Sequence, residues 1–221
     1  MNLPKEKIEL KKEFFSWLNT NQESLKPIIS DSIDSIYNVY ESKFNTIDVD
    51  NIKKGLELNH TFCWALAEYV TEFAVKEKLF ANLITELSKH PSSKVRLNII
   101  TNCLYNKPEN LTNRLLIEAL DDKSKKVRLK AADVMLRLNK EQLREKLLER
   151  TKIETDKETK KTLLWTYELI SKKWTFGPEW NRITVHLKDG GLSGFYLEEN
   201  DDVNNIKWIE EKVEEIRAEW S

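Results

Sequence analysis

The four residues Lys-Val-Arg-Leu occur at Lys94–Leu97 and again at Lys126–Leu129, 32 residues apart. At the same interval a third, degenerate copy has Thr159-Lys160 in place of Val-Arg. Four residues after the first of each pair stand Ile99, Ala131 and Leu163. Five after stand Ile100, Ala132 and Leu164, and eight after stand Cys103, Met135 and Tyr167. Offsets of four, five and eight lie on one face of an α-helix. Between the copies lie "NLTNRLLIEALDD" and "NKEQLREKLLERTK". Each reads as a shorter helix, through Leu115, Leu116 and Leu120 in the first and Leu143, Leu147 and Leu148 in the second. The unit is therefore helix, turn, helix, and it repeats. One such pair cannot bury its apolar face alone, so the pattern predicts stacked pairs with a continuous core, clearest over 78–173.

The rest of the chain continues this reading. Only five glycines and five prolines occur among 221 residues, so long helices joined by short turns are expected. Ile8, Leu10, Phe14, Phe15 and Leu18 share one helical face near the N-terminus. A second helix is expected to run to about Phe44, with Ile28, Ile29, Ile33, Ile36, Tyr37 and Tyr40 inward and Asp31 to Ser35 on a polar outer face. Leu58, Phe62, Ala65, Leu66, Tyr69, Val70 and Phe73 form a broad stripe on a helix buried on more than one side. Leu79, Leu83, Ile84 and Leu87 follow on a shorter helix that His90-Pro91 ends.

The C-terminus breaks the pattern. Gly177-Pro178 is a stop. Ile183, Val185 and Leu187 then alternate with Thr184, His186 and Lys188, the period of a strand. Asp189-Gly190-Gly191 signals a turn, and Phe195, Tyr196 and Leu197 begin a return strand. Val203, Ile206, Ile209, Val213 and Ile216 mark one face of a final helix. A lone hairpin is marginal in water. The expectation is a β-hairpin plus helix over 177–221 that caps a helical body formed by 1–176.

The repeat resembles the HEAT family of two-helix units. In that family the second helix opens with Asp, four residues, Val-Arg, and then an Ala-Ala pair before an apolar residue. Asp122, Val127, Arg128, Ala131, Ala132 and Met135 match that pattern. The copy at Val95-Arg96 has His90 in place of the Asp and isoleucines for the alanines. The copy at Thr159-Lys160 has Glu154 there. The resemblance implies a mainly α fold, a right-handed HEAT-like alpha-alpha superhelix with a small C-terminal ββα appendage. It also implies that Asp122 sits in the turn between paired helices, and that Arg128, and Arg96 in the other copy, tie neighbouring repeats through acidic turn residues.

Charge bears on function. Residues 88–176 carry 21 Lys+Arg against 12 Asp+Glu, a net of +9. Residues 1–87 carry −4 and residues 177–221 carry −6, giving the overall −1. The basic middle makes Lys125, Lys126, Lys130, Arg144 and Arg150 candidates for a binding surface, with nucleic acid a possible partner through 88–176. Some HEAT-like proteins are alkylpurine DNA glycosylases that use tryptophan and an acidic residue in a basic groove. This chain has seven tryptophans, among them Trp64, Trp165, Trp174 and Trp180, but no motif of those enzymes matches residue by residue, and Trp165 reads as core.

No catalytic signature is present: neither G-x-S-x-G, nor a P-loop, nor H-E-x-x-H, nor C-x-x-C. The "DGGLSG" run lies in the expected hairpin and opens no helix. His60 and Cys63 share a helical face, but two ligands do not make a zinc site. Two cysteines, Cys63 and Cys103, are too few for a disulfide framework and read as buried thiols. With no apolar run of spanning length and no signal-type start, the expected setting is cytoplasmic, with no membrane contact and no cofactor. A non-catalytic scaffold or adaptor that binds a protein partner is the leading expectation, an inhibitor or immunity-type binder among the forms it could take.

Overall fold

The computed structural model describes residues 6–58, 60–102, 109–177, 182–198, 201 and 203–220. Expectations for Cys103, Pro178 and Trp180 lie outside these residues. The chain is mainly helical, with a three-stranded antiparallel sheet near the C-terminus. It divides into two compact units, Met1–Thr112 and Asn113–Ser221. Among the described residues no helix is long and apolar enough to cross a membrane.

In the first unit six helices follow one another: α1 (Lys7–Ser16), α2 (Lys26–Tyr40), α3 (Thr46–Glu57), α4 (Phe62–Lys76), α5 (Lys78–Leu87) and α6 (Ser93–Thr101). Each packs on the next, and α4 also meets α2 and α6. Their core includes Ile29, Ile33, Ile52, Phe62, Leu66 and Phe80. Several expectations need correction. Ile8 and Leu79, expected on inward faces, are exposed, and Leu58 caps α3 rather than belonging to the helix of Phe62. The second helix ends at Tyr40 rather than Phe44, and α3 starts a few residues later behind an Asn45 capping box, in which Asn45 accepts from the Ile47 N–H and Asp48 accepts from the Asn45 N–H. The expected polar face of α2 is also partly core. Ser32 and Ser35 are buried because α3 lies against them. The Ser32 hydroxyl donates to the Asn51 carbonyl at 2.9 Å, and Asn51 Nδ2 donates to Ser35 Oγ at 3.3 Å. Gly55 permits this approach, since a Cβ there would overlap Ser32 and Leu66.

α7 (Glu109–Leu120) leads into the second unit, which holds α8 (Lys125–Arg137), a 3-10 turn at Glu141–Leu143, α9 (Arg144–Ile153) and α10 (Lys157–Lys172). The 32-residue period is visible in the geometry of the turns. Helices α6, α8 and α10 begin at residues 93, 125 and 157. One residue before each start, a backbone N–H is taken by the side chain at position 90, 122 or 154. Ser92 N–H donates to His90 Nδ1 at 3.1 Å, Ser124 N–H to Asp122 Oδ1 at 2.7 Å, and Asp156 N–H to Glu154 Oε1 at 3.1 Å. His90 thus performs the acceptor role of an Asp, which explains why it is compatible with that position. Arg96 Nη1 donates to the carbonyls of His90 and Pro91 at 2.7 and 2.9 Å. Arg128 Nη1 donates to those of Asp122 and Lys123 at 2.8 and 3.2 Å.

Arg128 does more. Its Nε and Nη2 donate to the two oxygens of Glu154 at 2.7 and 3.0 Å. Both side chains are buried. Arg128 therefore joins the turn before its own helix to the turn before α10. Burial alone pushes the Glu154 carboxyl up, but bonds from Arg128, the Asp156 N–H and Arg150 outweigh it and hold it down at about 2.

The expected hairpin is a three-stranded sheet in the order β1 (Trp174–Phe176), β2 (Arg182–His186), β3 (Leu192–Tyr196). β1 was not legible in the sequence because "WTF" alternates over only three residues. Trp174 pairs with Val185, and Val185 with Ser193. One face, with Trp174, Ile183, Val185 and Leu187, packs on α11 (Ile206–Glu219) through Ile209 and Val213. Val203 and Ile206, expected on that apolar face, are exposed at and before the helix start.

The other face carries Thr175, Thr184 and His186, and it is buried as well. It lies toward α10, which packs on both β1 and β2. Thr175 donates to Glu168 at 2.6 Å. His186 Nε2 lies 2.9 Å from the Leu136 carbonyl at the end of α8 and donates to it in one tautomer, while Nδ1 has no hydrogen-bond partner among the described residues. Burial pushes the His186 imidazole below its usual range. The Leu136 carbonyl opposes this shift, and Lys173 and Arg217 reinforce it. The hairpin tip closes on the same helix end. Gly190 has φ +85°, and a Cβ there would overlap the Arg137 backbone.

Arg128→Ala strips a buried carboxylate of its bidentate partner. It is expected to lower the unfolding free energy by about 3 kcal/mol, read from urea denaturation at pH 7, whereas Arg128→Met combined with Glu154→Leu loses much less. His186 has a folded pKa below its unfolded value, so it favours folding above about pH 6.5 and disfavours it increasingly below. The urea midpoint of the wild type should fall as pH drops from 7 to 5, and His186→Phe should flatten that slope.

Candidate binding site

α10 is the last helix of the repeating pattern, and Asp156 starts it. The Asp156 carboxylate accepts from the Thr159 hydroxyl at 2.7 Å and the Thr159 N–H at 2.9 Å. These bonds, with Lys125 nearby, hold its pKa at about 2. One side of α10 packs on α8 and α9. β1 and β2 also pack on it, and Thr175 of β1 bonds Glu168 near its C-terminal end. A groove of about 770 Å³ opens along this helix.

Glu158, Lys161, Thr162, Trp165 and Glu168 line the groove from α10, at the spacing of one helical face, with Leu164 beside them. Thr175, Phe176 and Gly177 close it at the end of β1. Leu164 is 43% exposed, although the equivalent Ile100 and Ala132 of the earlier copies are buried. The expectation that Leu164 belongs to the inner face is thus corrected. In the last copy a sheet follows in place of a further helix pair, and Leu164 is left exposed.

Trp165 is half-buried on the groove wall, where the sequence suggested core. Its indole N–H is shielded from solvent and has no hydrogen-bond partner among the described residues. A buried donor without an acceptor costs free energy, and an acceptor entering the groove would relieve it. Glu168 is held by the Thr175 hydroxyl and stands 3.5 Å from Lys172 Nζ. The groove therefore offers an apolar wall of Leu164, Trp165 and Phe176, an orphan donor, and a charged rim of both signs.

The basic residues singled out from the sequence do not form one patch of free charge. Lys125 lies 3.4 Å from Asp156. Lys130 is 2.8 Å from Asp133, which also accepts from Arg137 at 3.0 Å. Arg144 is 3.3 Å from its neighbour Glu145. Arg150 bonds Glu154 at 3.0 Å and approaches Asp121 at 3.7 Å. Lys126 is exposed in the first turn of α8. Arg150 also lines a second, smaller cleft of about 410 Å³ between α7 and α9, with Ile117, Leu120 and Ile153. Four of these five candidate cations are thus set against carboxylates.

The His60–Cys63 pair is committed to the fold. His60 Nδ1 accepts from the Phe62 N–H at 3.1 Å, and Nε2 faces the Trp17 carbonyl at 3.4 Å. The buried Cys63 thiol, pushed up by burial, accepts from Asn98 Nδ2 at 2.9 Å. Among the described residues no group of three His, Cys, Asp or Glu side chains is placed to hold a metal.

No protein-family model, curated protein or solved structure matches this chain.

Leu163 and Leu164 should respond differently to truncation, because only the first is enclosed. Leu163→Ala is expected to lower stability by about 2–5 kcal/mol, and Leu164→Ala by less than about 0.5 kcal/mol, in parallel urea titrations.

Proposed function

We propose that this protein is a non-catalytic binding module for a protein partner, built on HEAT-like helix pairs, and that the α10 groove is where the partner docks. One observation carries this reading. Leu164, buried at its two equivalent positions, is exposed here beside Trp165, whose shielded indole N–H lacks an acceptor. An aromatic anchor with a polar handle, an aliphatic neighbour and a charged rim is the usual anatomy of a protein-binding hot spot. The groove volume falls in the range that encloses a few side chains.

A nucleic-acid partner fits the residues less well. Phosphate binding draws on lysines and arginines free to displace the counterions condensed on the nucleic acid, and four of the five candidate cations already face carboxylates. The net charge of +9 over residues 88–176 already counts those carboxylates, so it rests on lysines and arginines other than these four.

A photocrosslinking side chain placed at Leu164, with a second at Lys126 as control, separates the two readings. The expected outcome in native lysate is one dominant protein adduct from position 164, absent from position 126 and lost when Trp165→Ala is added. In parallel, fluorescence anisotropy with a short DNA duplex at low salt should show no binding. Duplex binding with a steep salt dependence, and no adduct at position 164, would overturn the proposal.

A further inference from the structure

The outer edge of β3 is a surface of a different kind, and the hydrogen-bond alternation of the sheet fixes which groups it presents. In the β1–β2 pair, Gly177 N–H donates to the Arg182 carbonyl and His186 N–H to the Lys173 carbonyl. The even-numbered residues of β2 therefore turn their backbone groups toward β1. Its odd-numbered residues turn toward β3, consistent with Leu187 N–H donating to the Gly191 carbonyl. Alternation in an antiparallel ladder then assigns Ser193 and Phe195 to β2, opposite Val185 and Ile183. The N–H and C=O groups of Leu192, Gly194 and Tyr196 point the other way. β3 is the last strand of the sheet, and no backbone hydrogen bond among the described residues reaches those groups.

Edge strands normally carry protection such as an inward charge, a proline or a lysine. "LSGFY" contains none. The side chains of Leu192 and Tyr196 share one face of the sheet. Leu192 is 47% exposed and Tyr196 61% exposed, with the Arg182 guanidinium 5.7 Å from the Tyr196 ring centroid.

We propose that β3 is a self-pairing edge, through which two copies of this chain associate antiparallel about a two-fold axis at Gly194. Parity selects this register. An antiparallel pair centred on residue 194 sets Leu192 opposite Tyr196 of the second copy, Gly194 opposite Gly194, and Tyr196 opposite Leu192. All three open residues then become hydrogen-bonded pairs. A centre displaced by one residue to 193 or 195 loses a pair at one end. Glycine at the axis leaves nothing to collide where the two strands cross the symmetry point. The leucine–tyrosine pairs on either side are the apolar–aromatic cross-strand contacts that stabilise sheets. The same patch meets itself, as a two-fold interface requires. No strand charge faces a like charge, because the strand has none. Five residues a side bury less than a standard interface of about 800 Å² per partner, so the association is weak and depends on concentration. It is independent of the α10 groove.

Sedimentation velocity over a wide concentration range should show a monomer–dimer equilibrium in the wild type. Leu192→Lys and Tyr196→Lys should each shift it to monomer with an unchanged circular dichroism spectrum and melting temperature. Register is tested by mixing two variants in a Cys103→Ser background, Leu192→Cys and Tyr196→Cys. Directly paired residues lie about 5.5 Å apart, within disulfide reach. Mild oxidation should therefore give a covalent dimer from the mixture and little from either variant alone. A wild type that stays monomeric throughout overturns the proposal. So does a dimer indifferent to both lysines, or a mixture that crosslinks no better than its components.

Discussion

The second unit depends on one buried guanidinium. Arg128 holds the carbonyls of Asp122 and Lys123 on one side and both oxygens of Glu154 on the other. A charge taken out of water must be matched atom for atom or it disfavours folding. The turns before α8 and α10 are therefore locked to each other in a single geometry. Glu154 is over-committed in the same sense, since it also receives Arg150 and the N–H groups of Thr155 and Asp156. The side chain that starts α10 is placed by this network, and the position of α10 sets the groove that follows.

The sheet completes the unit in a manner that polar patterning conceals. Its α11 face is conventionally apolar, while its α10 face presents Thr175, Thr184 and His186. Those groups are tolerated inside because helix termini and glutamate supply partners: the Leu136 carbonyl at the end of α8 for His186, and Glu168 for Thr175. The match is incomplete, since His186 Nδ1 and Trp165 Nε1 find no partner among the described residues. Trp165 lies on the groove wall. A helix pair continuing the repeat would offer its own apolar face to Leu164, whereas the three-stranded sheet leaves it exposed. The groove thus arises where one kind of element takes over from another.

Much of the architecture was legible. The 32-residue echo located α6, α8 and α10, and His90-Pro91 marked the end of α5. The Val-Arg and Ala-Ala spacing singled out the inward face that contains Val127, Ala131, Ala132 and Met135, all buried. The alternation at Ile183, Val185 and Leu187 located β2. Less legible were features in which two distant segments share one interaction. Ser32 and Ser35 look like surface until α3 lies against them, and β1 is too short to show a period. The charge surplus over residues 88–176 suggested a phosphate surface, but pairs such as Arg150–Glu154 and Lys125–Asp156 are local arrangements that a sum over sequence cannot resolve.

Sequence alone determined the periodic elements, because helical and strand periods are written in consecutive side chains. It determined the repeat, and with it the positions where an acceptor must precede each helix, whether Asp122, Glu154 or His90. Tertiary structure decided which repeated position stays open. Leu164 has the same place in the pattern as Ile100 and Ala132, and only what packs against it distinguishes them. It also decided which strand edge is left unpaired, since LSGFY reads as an ordinary strand until the sheet order places it last. Both outcomes depend on what is absent from a neighbouring position, and a chain's own residues do not encode an absence.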